Sequence, residues 1–211
     1  MRKPIKNIVL DFGHGGVDSY GKNWSKRDGV TFPNGEVAYE GVLNRQIGGL
    51  LYYYLRNHSP ILNVVCTVQP DDPRDLSLPY RVRVMNSFDC TETLAASIHC
   101  NAFDGKARGF SIYTDKGKSV SDVLAEDIAK YVEKVYKRIK LKLRYDFSDG
   151  DKDKEADFYV FRRTRCPVVL IECLFFDNWE DYKYLKDTKF QKELAFAVYE
   201  GIMKFVNQDR R

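Results

Sequence analysis

The sequence has few residues of the kinds that bind metals tightly. It contains five cysteines and three histidines among 211 residues, and no two cysteines form a CxxC pair. An odd number of cysteines without this spacing argues against a disulfide framework and against a structural zinc site built on cysteine. We therefore expect free, mostly buried thiols.

Long apolar segments are also absent. The N-terminal apolar run Ile8–Leu10 ends at Asp11. A secretory signal needs about 7–15 apolar residues there, and a membrane-spanning helix needs roughly 20. We expect neither an export signal nor a membrane segment, and hence synthesis in the cytoplasm.

Charge of one sign is not in large excess. The formal net charge is +4, with 30% charged and 44% hydrophobic residues. This balance is that of an ordinary globular protein with enough apolar material for a core. Nucleic-acid binding is disfavoured because no recognisable motif accompanies the weak positive charge. The length suits a single domain over residues 1–211, and the pattern does not define an oligomeric state.

Segments typical of strands and of helices alternate along most of the chain. Short apolar runs predict the strands, and apolar residues at helical spacing or capping residues predict the helices. This alternation favours an α/β fold with helices on both faces of one sheet. The predicted strands are 8–12, 64–68, 94–98, 110–113, 158–161 and 168–173, and the predicted helices are 36–57, 78–88, 120–139, 180–186 and 190–205.

The charge pattern changes sign within residues 130–157. Basic residues up to Arg144 are followed by a series of acidic residues. The acidic part resembles a calcium loop, but Lys154 stands where an EF-hand needs glycine and Val160 where it needs glutamate. We predict a solvated loop rather than a calcium site.

Two of the three histidines follow predicted strands. His14 lies in the glycine-rich turn 13–16, and His99 directly follows the strand 94–98. Ligands usually bind at the carboxyl ends of strands in open α/β sheets. A catalytic zinc commonly uses two histidines and one glutamate, so this pair is a candidate metal site. His58 lies at a helix end, where a solvated capping role is expected.

Three glutamates are candidates for the remaining positions. Glu172 follows the apolar run 168–171, where a carboxylate is costly unless it has a partner or a function. A proton-transfer role and a buried ion pair are both open for it. Glu36 and Glu40 lie four residues apart, on one face of the predicted helix. Periodicity does not choose between them as a third metal ligand.

A series of short motifs runs in order along nearly the whole chain. The motifs are IVLDFGHGG at 8–16, Glu40 with Asn44, Arg81 with Asn86, SIHCNA at 97–102, GFSIY at 109–113, YVFR at 159–162 and PVVLIECLF at 167–175. Each is weak alone, but their joint order is specific. Together they resemble the zinc-dependent N-acetylmuramoyl-L-alanine amidases of the amidase-3 family, of the AmiC/CwlV type.

The resemblance implies a fold and a metal site. The fold would be a twisted, mostly parallel sheet between helical layers. The cofactor would be Zn²⁺, bound by His14, Glu40 and His99. Glu40 is preferred to Glu36 because Asn44 follows it as in the family motif.

The resemblance also implies an activity. The chain would hydrolyse the amide that joins N-acetylmuramic acid to L-alanine in peptidoglycan, with Glu172 as the catalytic carboxylate. It would act on the cell wall after release or lysis, as an endolysin or an autolysin. Asn101 and Arg162 are candidates for substrate contact, and a structural role is equally open for each.

Two alternatives and one region stay open. The chain could be another zinc peptidase that cuts within the stem peptide, or a metal-free wall-binding module. Phe12 and Cys173 replace the family's usual proline and glycine, and neither change removes a ligand. Residues 140–157 have no clear family counterpart, and they could form a regulatory lid or only a loop.

Overall fold

Strands and helices alternate along the chain in the computed structural model, which describes residues 3–148 and 150–208. The termini of the predicted 1–211 domain and Asp149 of the acidic run lie outside the described residues. The strands are β1 (Asn7–Phe12), β2 (Val30–Thr31), β3 (Val37–Ala38), β4 (Asn63–Cys66), β5 (Thr93–Asn101), β6 (Ser111–Thr114), β7 (Lys154–Glu155) and β8 (Val168–Phe175). The helices are α1 (Glu40–His58), α2 (Leu78–Met85), α3 (Val120–Arg138), α4 (Tyr159–Arg163), α5 (Trp179–Leu185) and α6 (Thr188–Gln208).

Six of the strands form one sheet in the order β4-β1-β5-β8-β6-β7. β4, β1, β5 and β8 are mutually parallel, whereas β6 runs antiparallel to β8. The predicted α/β class with a mostly parallel sheet is therefore confirmed. Parallel alignment places the carboxyl ends of β1, β5 and β8 at one edge of the sheet, which is where ligands bind in such folds.

Helices cover both faces of the sheet, and the alternation of side chains along β1 shows how. Ile8 and Leu10 point into the larger core, which α1, α3 and α6 cover. Val9 points to the opposite face, where it packs in a smaller core with Met85 of α2 and Phe161 of α4. Because successive strand residues face opposite sides, the continuous apolar run of β1 is buried on both.

The predicted helix over 36–57 begins four residues later than expected. Residues 30–31 and 37–38 pair as a short antiparallel hairpin, closed by a turn in which Gly35 has φ +84°. Glu36 belongs to this hairpin, and Glu40 is the first residue of α1. The prediction that both glutamates lie on one helical face is therefore wrong.

The predicted strand over 158–161 is also wrong, because Tyr159–Arg163 forms the short helix α4. Its sequence is aromatic and β-branched, which is typical of strands. Here Val160 and Phe161 fill the smaller core against Met85 and Leu170. Tertiary packing thus overrides the local preference.

The described residues of the segment 140–157, which are 140–148 and 150–157, make more regular contacts than the predicted solvated loop. Leu141 is buried against the larger core, and Leu143 forms a bridge with Phe110. β7 then extends the sheet beside β6. The high charge of the segment led to the prediction of a loop. Its few apolar residues nevertheless pack against the sheet, and the segment covers the sheet edge at β6.

The cysteines behave as expected, since all five are free and four are buried. In the described ranges, no helix is both long enough and apolar enough to cross a membrane.

Candidate metal centre and catalytic cleft

The sheet brings the predicted site residues together at the carboxyl ends of its central strands. His14 lies two residues beyond β1, and His99 lies near the end of the adjacent β5. Glu172 in β8 is the direct neighbour of His99 in the parallel register. Glu40 reaches the same place from the first turn of α1.

Glu40 lies between the two histidines. One carboxylate oxygen, Oε2, is 3.1 Å from His14 Nε2, and the other, Oε1, is 3.0 Å from His99 Nδ1. The imidazole rings meet edge to face with their centroids 5.3 Å apart. One potential ligand atom from each residue lies within 4.8 Å of the others. Two imidazole nitrogens and one carboxylate oxygen form the donor set of a catalytic zinc.

A close approach between β1 and His99 depends on Gly13. A Cβ atom at this position would lie 2.0 Å from Cε1 of His99. No side chain larger than hydrogen fits there without moving the ring. The first glycine of the predicted turn is therefore required by the position of His99.

Two arginines hold the backbone of His14 in an unusual conformation. His14 has φ +60°, a left-handed value that a residue with a β-carbon rarely adopts. Its carbonyl accepts hydrogen bonds from Arg45 Nη1 at 2.7 Å and from Arg81 Nη2 at 3.4 Å. The same Arg45 group donates to Gly41 O at 3.0 Å, so it ties the turn to α1.

Sequence reasoning assigned no role to Arg45. A signal was present, because Arg45 lies between Leu43 and Ile47 on a helix whose apolar side is buried. A charge on such a face requires a partner. In the structure the partners are backbone carbonyls.

The charges of the site influence one another. Burial lowers the pKa of His14 below its usual value, although Glu40 opposes this. Burial also acts to lower the pKa of His99, but its hydrogen bond with Glu40 outweighs burial and the pKa is raised. For Glu40 burial acts to raise the pKa, and the two histidines lower it overall. Glu40 is thus held as a carboxylate, the form in which it can bind a cation.

Glu172 has a different environment from Glu40. Burial raises the pKa of its carboxyl group to about 8, His99 opposes the rise and Glu40 adds to it. Its Oε2 atom is buried and has no hydrogen-bond partner among the described residues. No described cation lies within ion-pair distance of it, so the buried ion pair considered from the sequence is not observed. A carboxyl group that faces a cleft with an unusual pKa is typical of a functional site.

These residues line an open cleft of about 410 Å³. Asn101 is among its lining residues, as expected for a substrate contact. Arg162 is not, because its guanidinium binds Asp157 at the surface. The structure gives its predicted substrate contact no support. The cleft is lined by His14, Arg27, Glu40, Leu78, His99, Cys100, Asn101, Ala102, Phe158, Tyr159, Val160, Leu170 and Glu172.

The remaining candidates lie elsewhere. Glu36 forms an ion pair with Lys186 at the surface, and His58 is exposed at the end of α1, stacked on Tyr54. No described residue within 140–157 lines the cleft.

Comparison with known proteins gives this site a family. Residues 8–204 match the model of the Amidase_3 family, described as N-acetylmuramoyl-L-alanine amidase. The chain belongs to this family. The match includes every residue of the candidate centre, and the family and enzyme class predicted from the ordered motifs are thereby confirmed.

Individual relatives of the amidase support the same assignment. The chain is 28% identical over 208 residues to the endolysin of Bacillus phage SPP1, covering 98% of this chain and 68% of that protein. The CwlD amidase from Clostridioides difficile, solved in complex with the GerS lipoprotein, superposes with a TM-score of 0.74 at 27% identity, covering 97% of this chain and 100% of CwlD. The catalytic domain of CwlV from Bacillus (Paenibacillus) polymyxa superposes with a TM-score of 0.74 at 25% identity, covering 96% of this chain and 99% of the CwlV domain.

Proposed function

We propose that this chain is a zinc-dependent hydrolase that cleaves the amide between N-acetylmuramic acid and L-alanine in peptidoglycan. The observation that carries the proposal is the arrangement of His14, Glu40 and His99 around one point, with Glu172 beside them in the same cleft. The membership of the amidase family supports the choice of bond.

The donor set fits zinc. His14 and His99 offer imidazole nitrogens, Glu40 offers a carboxylate oxygen, and each comes from a different element of the fold. These three would hold the ion and leave a position open towards the cleft. When bound there, zinc polarises a carbonyl group and lowers the pKa of water.

Glu172 is the proposed proton carrier. In its ionised form, the carboxylate accepts a proton from the attacking water and returns it to the alanine nitrogen as the C–N bond breaks. The positive charge of a cation bound beside it would oppose the effect of burial and favour this ionised form. The products are the lactyl carboxylate on the glycan and a free amine on the stem peptide.

The cleft also offers surfaces for the substrate. Asn101 presents an amide that can bind a peptide or sugar group, while its Oδ1 accepts a hydrogen bond from the backbone of Ala102 at 2.9 Å. Phe158 and Tyr159 form an aromatic wall. Aromatic side chains combine apolar area with few rotatable bonds, which suits the recognition of sugar and peptide groups.

The biological setting is a further part of the proposal. We infer that the chain reaches the cell wall after release or lysis, as an endolysin or an autolysin. The similarity to a phage endolysin supports this setting.

Digestion of defined peptidoglycan tests the reaction. The amidase should release stem peptides with a free L-alanine amine and leave the glycan strands intact, both of which mass spectrometry detects. New termini within the stem peptide would instead identify a peptidase. Wall binding without any cleavage, at any zinc concentration, would identify a binding module.

Zinc analysis of variants tests the ligands. Glu40→Ala should lose stoichiometric zinc, because it removes the carboxylate that contacts both histidines. Glu36→Ala should keep it, because the Glu36 carboxylate contacts Lys186 and Asn34 at the surface and neither histidine. Likewise His14→Ala and His99→Ala should lose zinc, and His58→Ala should not. The opposite result for the two glutamates would overturn the ligand assignment.

A further inference from the structure

We propose that Arg27 binds a carboxylate of the stem peptide and so makes this amidase prefer stem peptides with a free carboxylate over those with a carboxamide. The inference rests on the proposed function and extends it to substrate selectivity. It comes from the position of Arg27 at the cleft and from the free donors of its guanidinium group.

Arg27 is the cationic side chain of the cleft lining, apart from the proposed zinc centre. Among the described residues that line the cleft, no other is a lysine or an arginine. The guanidinium carries five N–H donors in a planar fork that matches a carboxylate. Away from the zinc centre, where the scissile amide would lie, this guanidinium is the group of the lining that favours an anionic part of the substrate over a neutral one.

The donors of Arg27 are available. Its nearest anion is Glu40, with Nη1 3.8 Å from Oε2, which is beyond hydrogen-bond distance. Both oxygens of Glu40 have closer partners in His14 and His99. In the described part of the chain, no residue accepts a hydrogen bond from the guanidinium, and the side chain is 64% exposed.

The backbone that carries Arg27 is held in place. The Arg27 N–H donates to Ser25 Oγ at 3.1 Å, and the Arg27 carbonyl accepts from Asn23 Nδ2 at 3.0 Å. Asp18 accepts from Trp24 Nε1 at 2.9 Å, and the Trp24 N–H donates to Gly16 O at 2.9 Å. The loop is thus tied to the turn that carries His14, and a fixed backbone lowers the entropic cost of binding.

The substrate class follows from this arrangement. The scissile amide between the glycan and L-alanine is neutral. Any selectivity for charge must therefore come from the stem residues that follow L-alanine. A carboxylate on the next stem residue, or further along the stem, would pair with Arg27. The same position occupied by a carboxamide would lack the charge.

Three synthetic substrates distinguish the carboxylates that Arg27 could bind. All are N-acetylmuramoyl-L-alanyl-D-glutamate derivatives: one with only the α-carboxylate free, one with only the γ-carboxylate free, and one with both blocked as amides. We expect a higher kcat/KM, by about three- to tenfold, for at least one charged substrate over the neutral one. The difference should lie mainly in KM, and it should shrink with added salt. The favoured isomer identifies which carboxylate is read.

Variants assign the preference to Arg27. Arg27→Gln should reduce it to near unity while zinc stays stoichiometric. Because the Arg27 charge also lies 3.8 Å from Glu40, the preference is measured as the ratio of kcat/KM values between substrates within one variant, and not as an absolute rate. Arg27→Lys should retain part of it, because the charge is kept and the fork is lost. Lys26→Gln is the matched control, since Lys26 is the exposed neighbour outside the cleft, and it should retain the full preference.

Several results would overturn the inference. These are equal cleavage of all three substrates by the wild type, a preference that persists in Arg27→Gln, or an equal loss in Lys26→Gln. In each case release of L-alanine amines leaves the proposed function standing. If the wild type cleaves neither these substrates nor whole peptidoglycan, the proposed function itself fails, and the inference fails with it.

Discussion

At the scale of single residues, the two glutamates of the cleft have the same side chain and opposite electrostatic situations. Glu40 contacts two imidazoles, and its pKa is lowered. Glu172 has an unsatisfied oxygen in a buried setting, and its pKa is raised to about 8. Two carboxyl groups whose environments move their pKa values apart are suited to different tasks. This difference supports the proposal that Glu40 binds the metal and Glu172 transfers the proton.

Glu172→Gln tests this division of roles. Glutamine has nearly the same size and stays polar, so the strand should pack as before and zinc should stay stoichiometric. The amide cannot accept a proton from water. General acid–base catalysis contributes on the order of 10²–10⁴-fold, and kcat on peptidoglycan should fall by about that factor with little change in KM.

Two results would count against this assignment. A parallel loss of zinc would make Glu172 a ligand, and activity within a few-fold of wild type would leave the base elsewhere. Metal analysis and kinetics on the same preparation distinguish them.

At the scale of secondary-structure elements, the close approach of β1 to β5 fixes the position of His99 in the proposed metal site. Gly13→Ala should disturb it without removing a ligand, because the added Cβ would lie 2.0 Å from the His99 ring. Overpacking of this kind costs about 1–3 kcal/mol, and zinc affinity should fall by roughly tenfold or more in a competition titration with a chelator.

Gly16→Ala is the matched control for this substitution. Its Cβ would meet nothing closer than Arg45 Cδ at 3.4 Å, so zinc affinity should stay near wild type. Equal affinities in the two variants would show that the His99 ring moves aside freely.

The segment that covers the sheet edge carries a pH-dependent contact. Asp153 is buried and accepts a hydrogen bond from Thr114 Oγ1. Burial, with Asp151 and Asp122 nearby, raises the pKa of its carboxyl group to about 7. Because the pKa is higher in the folded state than in the unfolded state, protonated Asp153 contributes to the free energy of unfolding. This contribution is complete below the unfolded pKa of 3.8. It is lost as the pH rises towards and through 7.

Asp153→Asn should remove this loss. The variant and the wild type should have similar Tm values near pH 4. Above pH 7 the Tm of the variant should be higher by roughly 2–4 °C, which corresponds to about 1 kcal/mol for a protein of this size. Thermal unfolding at several pH values measures it. A Tm difference that does not change with pH would contradict the assignment.

Sequence patterns predicted the strands whose two faces are both buried, because such strands are continuous apolar runs. β1, β5 and β8 are apolar because both of their faces are buried, so their positions and the histidines at their ends were predictable. The hairpin before α1 was missed although Asn34-Gly35 is a strong turn signal. It contains only two residues per strand, which is too short for an alternating pattern to appear.

Other features depend on contacts that no local pattern contains. α4 is helical because Val160 and Phe161 fit the smaller core. Arg27 enters the cleft from a polar loop whose residues have no periodicity. The choice of Glu40 over Glu36 as the proposed ligand came from family resemblance alone. In the structure Glu40 contacts both histidines and Glu36 contacts Lys186.

At the scale of the whole molecule, one buried ion pair joins the sheet to the site. Asp11 of β1 accepts hydrogen bonds from Ser97 of β5 at 2.6 Å and from Thr67, which follows β4. It also pairs with Arg81 Nη1 of α2 at 2.7 Å. Arg81 in turn donates to the carbonyls of Phe12 and His14. The network therefore joins β1, β5, the residue after β4 and α2, and it ends at the backbone of a proposed ligand.

Asp11→Asn should destabilise the protein as a whole. The amide keeps the volume but removes the closest charge partner of the buried Arg81, which among the described residues then has only Asp75, at 3.4 Å. Removing one partner of a buried pair costs about 3–5 kcal/mol, and Asp75 should hold the loss to the lower end of that range. Denaturant unfolding should show this loss. Glu180→Gln, which breaks the exposed pair with Lys183, should cost less than about 1 kcal/mol. Similar losses in the two variants would mean that Arg81 finds another partner.

The pH dependence gives an independent check on Asp11. Burial acts to raise the pKa of its carboxyl group, but Arg81, Ser97 and Thr67 together lower it below 3.8. A lowered pKa contributes stability that is present above the unfolded value and is lost as the pH falls through the folded value. The unfolding free energy of wild type should therefore fall more steeply below about pH 4 than that of Asp11→Asn. Parallel curves for the two proteins would place the acid sensitivity in other carboxylates.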